Sequence, residues 1–262
     1  GGRLLVAFNG EIYNHLELRR LCESRGHRLA GGMDGEVIVH LWEDEGPDCL
    51  RRLNGIFAIA VVDRVTGEVW LARDPLGVKP LFHLTDRRGL WFASEPAAIG
   101  ALGADPGPLD PVALAQFLTF LWIPDPRTPR QRVRSVLPGE LLRWRAGEGV
   151  RRSRYCAPLH PDPDPRPCDL AAAAAGLVEH LTAACERQTL GDVPVALMAS
   201  GGVDSSLLWW GGRDGLSGAY TIEWPEAAGA ERLDEDAATV RALQALTPWP
   251  VTFLPGDQRE PA

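Results

Sequence analysis

Ser200-Gly201-Gly202-Val203-Asp204-Ser205-Ser206 constrains this chain more than any other stretch. It follows the apolar run from Val193 to Met198 and precedes Leu207-Leu208-Trp209-Trp210, which can open a helix. Strand, Gly-rich turn and helix N-terminus in that order converge backbone N–H groups on one point, where the helix dipole adds positive potential. Gly201 and Gly202 let the main chain approach a phosphate with no Cβ in between. Ser200, Ser205 and Ser206 add hydroxyl donors, and Asp204 can cap the helix or help hold a cation. The lysine and spacing of a Walker A loop are absent. An ordinary βα turn capped by Ser or Asp uses the same residue types. From these residue types alone, an anion cradle and an ordinary capped turn both stay open.

Such a cradle needs a parallel sheet, and the last third of the chain supplies the pattern. A helix over Asp169 to Thr189 precedes the loop, with a strand at Ala219 to Ile222, a helix at Asp234 to Leu246 and a strand at Val251 to Leu254 after it. Strands alternating with helices imply parallel pairing, with ligands at the carboxyl ends of the strands. Upstream, Pro158, Pro161, Pro163, Pro165 and Pro167 make residues 156–168 a stiff extended linker. Residues 1–155 read differently. A strand from Leu4 to Phe8 enters a turn at Asn9-Gly10, and a helix follows at His15 to Arg25. Asp34 then caps a second helix, with Val37, Ile38, Leu41 and Trp42 on its apolar face, that ends near Gly46-Pro47. Hairpins join Phe57–Val62 to Val69–Ala72 and Leu81–Leu84 to Leu90–Ala93. Helices at Pro96 to Leu102 and Asp110 to Leu121 come next, then a less regular stretch with a strand at Glu140 to Trp144. The fold class is an antiparallel sheet domain of α+β type, then the start of an α/β parallel-sheet domain over 169–262.

Composition narrows the function classes. A net charge of −8 argues against a general binder of nucleic acid or acidic membrane. The arginines between Arg127 and Arg154 read as a solvated face paired with acids, with a nucleic-acid patch as the alternative. No apolar run approaches the roughly 20 residues of a membrane helix. Cys22, Cys49, Cys156, Cys168 and Cys185 form no C-x-x-C pair and are odd in number, which favours free thiols and a reducing, cytoplasmic setting. The chain opens Gly1-Gly2-Arg3, with neither initiator Met nor signal peptide, and reads as a piece of something longer.

Literal strings go further. SGGVDSS after an apolar strand resembles the pyrophosphate loop of the ATP pyrophosphatases. FNGEIYNH at Phe8 to His15 resembles the glutamine-binding motif of class II glutamine amidotransferases. MDGEVI at Met33 to Ile38, LNGIFAIAVVD at Leu53 to Asp63, ARDPLGVKPLF at Ala72 to Phe82, FASE at Phe92 to Glu95 and VLPGE at Val136 to Glu140 follow in the same order. Together they resemble the glutamine-dependent asparagine synthetase family across nearly the whole chain.

That resemblance implies an N-terminal nucleophile domain that hydrolyses glutamine, and a synthetase domain in which ATP adenylates an aspartate side chain for attack by the released ammonia. By position it implies Asn9 and Gly10 as the oxyanion hole, and Asn9, Gly10, Glu11 and Asp34 as the glutamine site. Ala199 then contacts ATP, and Ile222 lines the adenine pocket. Ser200, Gly201, Gly202, Asp204, Ser205 and Ser206 hold the pyrophosphate with Mg²⁺, Asp204 being the candidate metal ligand. Asp234-Glu235-Asp236-Ala237 matches the start of the next family helix or is simply a charged helix N-terminus. A homodimer is compatible with the resemblance.

The family's nucleophilic cysteine follows the initiator Met, and its position and the family's upstream glutamine-gripping arginine are not in this stretch. Neither are the later ATP-contacting and adenylate-contacting segments, so the stretch by itself is expected to be inactive in both half-reactions. Two other readings stay open: a ring-closing amide synthetase with a scaffold glutaminase domain, and a non-catalytic ATP or glutamine sensor. The acceptor carboxylate, aspartate or another, is not legible.

Overall fold

A computed structural model of the chain describes residues 2–157, 169–191, 193–224, 235–247 and 249–256. It divides into two units, Gly1–Asp162 and Pro163–Ala262. The expected linker falls, from 158 onward, outside the described residues, as does Asp234.

The first unit is layered as helices, sheet, sheet, helix. Its main sheet has the order β1-β2-β3-β7-β8: β1 (Leu4–Ile12), β2 (Gly55–Asp63), β3 (Glu68–Arg73), β7 (Glu140–Arg145) and β8 (Gly149–Arg154), all neighbours antiparallel. Strand β2 explains why two layers can cover it. Its odd positions Phe57, Ile59 and Val61 are large and pack with Val37, Ile38 and Leu41 of α2 (Glu36–Glu45) and with Leu18 and Cys22 of α1 (His15–Ser24). Its even positions Ala58 and Ala60 are small and lie with Leu71, Leu81, Val136 and Leu142 under the second sheet. Alternation puts each set on one face. The second sheet, β5-β4-β6, comprises β4 (Phe82–Asp86), β5 (Gly89–Ala93) and β6 (Arg134–Ser135). Its outer side packs Leu84 on Ile99 of α3 (Pro96–Ala101). Helix α4 (Pro111–Phe120) follows, its N-cap Asp110 accepting from Val112 and Ala113.

The two expected hairpins form. Two local readings are corrected. Asn9-Gly10 is not a turn, because β1 runs on to Ile12. The stretch after Arg127 is more regular than expected, since β8 pairs along β7. Gly149-Val-Arg-Arg-Ser-Arg hides that strand by lacking apolar alternation. Arginines of the β7–β8 pair meet acids: Arg152 bonds Glu140 at 2.9 Å, Arg151 bonds Glu148 at 3.2 Å, and Arg143 pairs with Glu68.

Behind β2, the buried Asp74 carboxylate accepts from the N–H groups of Phe57, Leu76, Val78 and Lys79 at 3.0–3.3 Å. Arg73 donates to the carbonyls of Gly77, Lys79 and Val136, to Ser135 Oγ and to Asp125. These contacts fix the β3–β4 connection between the sheets.

His83 of β4 is buried between the sheets, where Arg152 of β8 donates to its Nε2 at 3.1 Å. Burial first, then the charges of Arg152 and Arg134, push its pKa down to about 4. The unfolded imidazole titrates near 6.5, so the unfolded chain takes up this proton first. The site's contribution to stability is therefore full above about pH 6.5 and is lost as pH falls toward 4. Urea midpoints measured across that window should drop more steeply for the wild type than for His83→Gln. Parallel curves would contradict the assignment.

In the second unit, α5 (Leu170–Gln188) starts at the N-cap Asp169. Strands β9 (Leu197–Met198), β10 (Ala219–Glu223) and β11 (Val251–Pro255) form a parallel sheet of order β11-β10-β9. Helices α6 (Val203–Gly212) and α7 (Glu235–Leu246) complete the alternation. The strand expected from Val193 is shortened to Leu197–Met198, and Pro194 offers no N–H to a ladder there. Ala199, Trp209, Ala219 and Val240 form the buried core of this unit.

Candidate functional site

Two sites emerge, one in each unit. In the first, β1 is an edge strand, and Asn9 and Glu11 lie on one of its faces, both exposed. Asn9 Nδ2 donates to Ser94 Oγ at 3.0 Å. Small residues leave room beside it: Ala7 and the facing Ala58 and Ala60 line a cavity of about 200 Å³ with Asn9, Phe92 and Ser94.

Gly10 is the conformational requirement. Its φ is 154°, and a Cβ there would lie 2.0 Å from the Ile56 carbonyl oxygen and 2.7 Å from Phe57 Cα. Its N–H direction follows from its neighbour. Phe57, opposite Gly10, spends its C=O on the Asp74 N–H at 2.8 Å and its N–H on the Asp74 carboxylate. Phe57 thus faces away from β1, so Gly10 belongs to a pair without mutual bonds and turns its N–H to the open edge. Asn9 and Gly10 together present a side-chain amide and a backbone N–H on that edge.

Asp34 is not the expected helix cap. The N-cap of α2 is Gly35, and Asp34 Oδ2 accepts from the Ile12 N–H at 2.7 Å. The end of β1 fixes the carboxylate next to Glu11, and its other oxygen has no partner among the described residues.

In the second unit, β9 ends at Met198 and the loop turns into α6. Gly201 takes φ 73°, with a built Cβ only 2.8 Å from Thr239 Cβ and 3.0 Å from the Asp236 carbonyl oxygen, so the turn needs glycine. Gly202 is the N-cap and has no side chain to occupy the first N–H groups of α6. The hydroxyls converge: Ser200 and Ser205 Oγ lie 3.2 Å apart, and Ser205 and Ser206 donate to the Gly202 carbonyl at 3.1 and 2.8 Å. Asp204 therefore does not cap; it is exposed in the first helical turn. Ala199, Ser200 and Ile222 share a cavity of about 230 Å³ with Met198, Thr221, Trp224 and Asp236. The resemblance put ATP against three of those residues, and the parallel sheet brings them to one end of β9 and β10.

Comparison with known proteins decides the family. The glutamine amidotransferase domain family matches residues 1–156, and the asparagine synthase family matches residues 176–241. The chain belongs to the glutamine amidotransferase family. Asparagine synthetase [glutamine-hydrolyzing] 3 of Bacillus subtilis is 32% identical over 79% of this chain and 33% of its own length. Asparagine synthetase [glutamine-hydrolyzing] 1 of the same organism is 30% identical over 78% of this chain and 32% of its own. An Arabidopsis thaliana asparagine synthetase [glutamine-hydrolyzing] is 33% identical over 78% and 29%. The chain spans about a third of the length of the curated relatives it matches. A solved glutamine phosphoribosylpyrophosphate amidotransferase of B. subtilis aligns at a TM-score of 0.44 and 17% identity, over 93% of this chain and 50% of that one, too distant to carry weight.

Within the amidotransferase unit, Ser94 lies at the candidate site beside Asn9, and sequence reading missed it. The FASE string contained it, but only the pairing of β4 with β5 and the stacking of the sheets bring it to Asn9. Burial, first among the causes, pushes the Cys49 thiol up to about 12, so it is no latent nucleophile. Among the described residues Cys22, Cys49, Cys156 and Cys185 are free. No helix of the described residues is long and apolar enough to cross a membrane.

Proposed function

We propose that the full-length protein is an ATP-dependent, amide-forming ligase of the glutamine-hydrolysing asparagine synthetase type. Glutamine is its nitrogen donor, and a carboxylate, with aspartate the first acceptor to test, receives the ammonia. The observation that carries this reading is the pairing of the Asn9 amide with an outward Gly10 N–H on the open edge of β1. Two preorganised donors suit the oxyanion of a tetrahedral intermediate formed when a thiolate attacks the glutamine amide. Glu11 and the free oxygen of Asp34 suit the α-ammonium of a free amino acid.

In the second half-reaction, a carboxylate oxygen of the acceptor attacks the α-phosphorus of ATP, and the bond to pyrophosphate breaks. Ammonia then adds to the acyl carbon and AMP leaves. The uncapped N-terminus of α6 and the Ser200, Ser205 and Ser206 hydroxyls suit the departing pyrophosphate. The exposed Asp204 carboxylate in that turn fits a phosphate-bound Mg²⁺, whose charge would offset that of the leaving group.

ATP–pyrophosphate exchange by the full-length protein tests the reading: exchange should require an amino acid with a free carboxylate. Absence of exchange with every amino acid tried would favour the non-catalytic sensor. Exchange without glutamine hydrolysis would favour the ring-closing relative. For the glutamine site, Asp34→Asn keeps an acceptor for Ile12 N–H while removing the charge. It should raise the glutaminase KM at least about tenfold with kcat little changed. An unaltered KM would remove Asp34 from the site.

A further inference from the structure

In the first unit, the α1–α2 pair brings together two histidines and a carboxylate that neither half-reaction uses. His27 follows the C-terminus of α1, where Gly26 takes φ 92° and the His27 N–H bonds the Cys22 carbonyl at 3.1 Å, so its backbone is fixed by the helix end. His40 and Glu43 lie three residues apart on α2 and so share a face of it. His27 Nδ1 stands 3.2 Å from His40 Nδ1 and 4.0 Å from Glu43 Oε2, and the three ligand atoms all lie within 4.8 Å of one another. The imidazoles are half-buried and their rings are 4.9 Å apart.

The other nitrogen of His27 decides the chemistry. His27 Nε2 lies 2.9 Å from Asp44 Oδ1, and Asp44 is itself held by Arg25 at 3.1 Å. A carboxylate can only accept, so Nε2 carries a proton, and the singly protonated tautomer this selects points its Nδ1 lone pair at His40. A carboxylate behind a histidine is the usual outer support of a metal-bound imidazole, fixing its tautomer and raising its basicity. The spacing fits as well. Tetrahedral zinc with Zn–N bonds of about 2.0–2.1 Å sets two ligand nitrogens roughly 3.3 Å apart, close to the separation of the two Nδ1 atoms. Glu43 is exposed, and its oxygen, 4.0 Å from His27 Nδ1, needs a swing of about 1 Å to reach the same centre.

We propose that His27, His40 and Glu43 form a divalent transition-metal site of the zinc class, with Asp44 as the outer support and a fourth position open to water. Bound metal would tie the end of α1 to the middle of α2, the helix preceded by Asp34. The simple alternative is a hydrogen bond from one imidazole to the other, with no metal.

The test uses metal-stripped, full-length protein carrying no histidine tag, titrated with Co²⁺ and then competed with Zn²⁺. The wild type should take up one equivalent with visible bands of low-symmetry N/O coordination and no sulfur-to-cobalt charge-transfer band. Those bands should vanish in His40→Gln, and affinity should fall about tenfold or more in Asp44→Asn. Glu43→Gln, at an exposed position, should weaken binding to a similar degree. No uptake by the wild type, a thiolate charge-transfer band, or titrations unchanged in Glu43→Gln and His40→Gln would each overturn the site.

Discussion

Asp204→Ala in the full-length protein is expected to lower acceptor-dependent ATP–pyrophosphate exchange by about 10³-fold, near 4 kcal/mol of transition-state stabilisation, with glutamine hydrolysis little changed. The expectation rests on charge. Asp204 lies in the first turn of α6, beside N–H groups that Gly202 leaves uncapped. A carboxylate at that place would repel a polyphosphate unless a cation lies between them. If Asp204 holds that cation, removing it loses both the ion and its placement on the leaving group. If Asp204 were only a favourable charge near a helix N-terminus, the change would cost about 0.3–1 kcal/mol of stability and spare exchange. Urea unfolding and exchange measured on the same variant therefore separate the two roles. Equal loss of exchange and glutaminase activity would contradict the assignment of two sites.

Gly10→Ala should abolish glutaminase activity and destabilise the first unit by roughly 3 kcal/mol or more, because its Cβ would meet backbone atoms that cannot rotate away. Either β1 separates from β2 near Ile56 or the Gly10 N–H leaves its outward direction. Asn9→Ala is the informative partner. Asn9 is exposed and its amide bonds only Ser94 among the described residues, so the fold should survive. Loss of one oxyanion donor should then reduce kcat by about 10²–10³-fold with KM nearly constant. A modest change in Asn9→Ala, with the thermal midpoint intact, would mean that the Asn9–Ser94 bond is structural and that the oxyanion sits elsewhere. Ser94→Ala distinguishes further: it leaves the donor in place but unheld, so its effect should be smaller than that of Asn9→Ala.

The sequence made the two-part architecture legible because its signals are local. Alternating strands joined by Gly-containing turns announced the hairpins, and strands alternating with helices announced the parallel sheet. What it hid depends on pairing. Asn-Gly is a strong turn signal, yet here it sits inside a strand because β2 passes so close that no Cβ fits at position 10. Asp34 read as a cap since Asp commonly is one, but its carboxylate serves the Ile12 N–H, which only the packing of α2 against β1 brings within reach. The outward direction of Gly10 N–H depends on Asp74, which takes both polar groups of Phe57. The His27–His40 pair was equally invisible, being built from a helix end and a helix face. By contrast, Ser200–Ser206 needed no tertiary knowledge: glycine at the left-handed position and a helix start are written in the string itself.

In the proposed reaction, nitrogen from glutamine ends in an amide made at the expense of ATP. Its most direct measurement is a reaction of the full-length protein with glutamine labelled with ¹⁵N in the side-chain amide, ATP, Mg²⁺ and aspartate, followed by mass spectrometry and nucleotide analysis. The predicted result is ¹⁵N in the amide of the product, with AMP and pyrophosphate formed in equal amounts to it. Glutamate release without any labelled amide product, or ADP and phosphate in place of AMP and pyrophosphate, would contradict the claim.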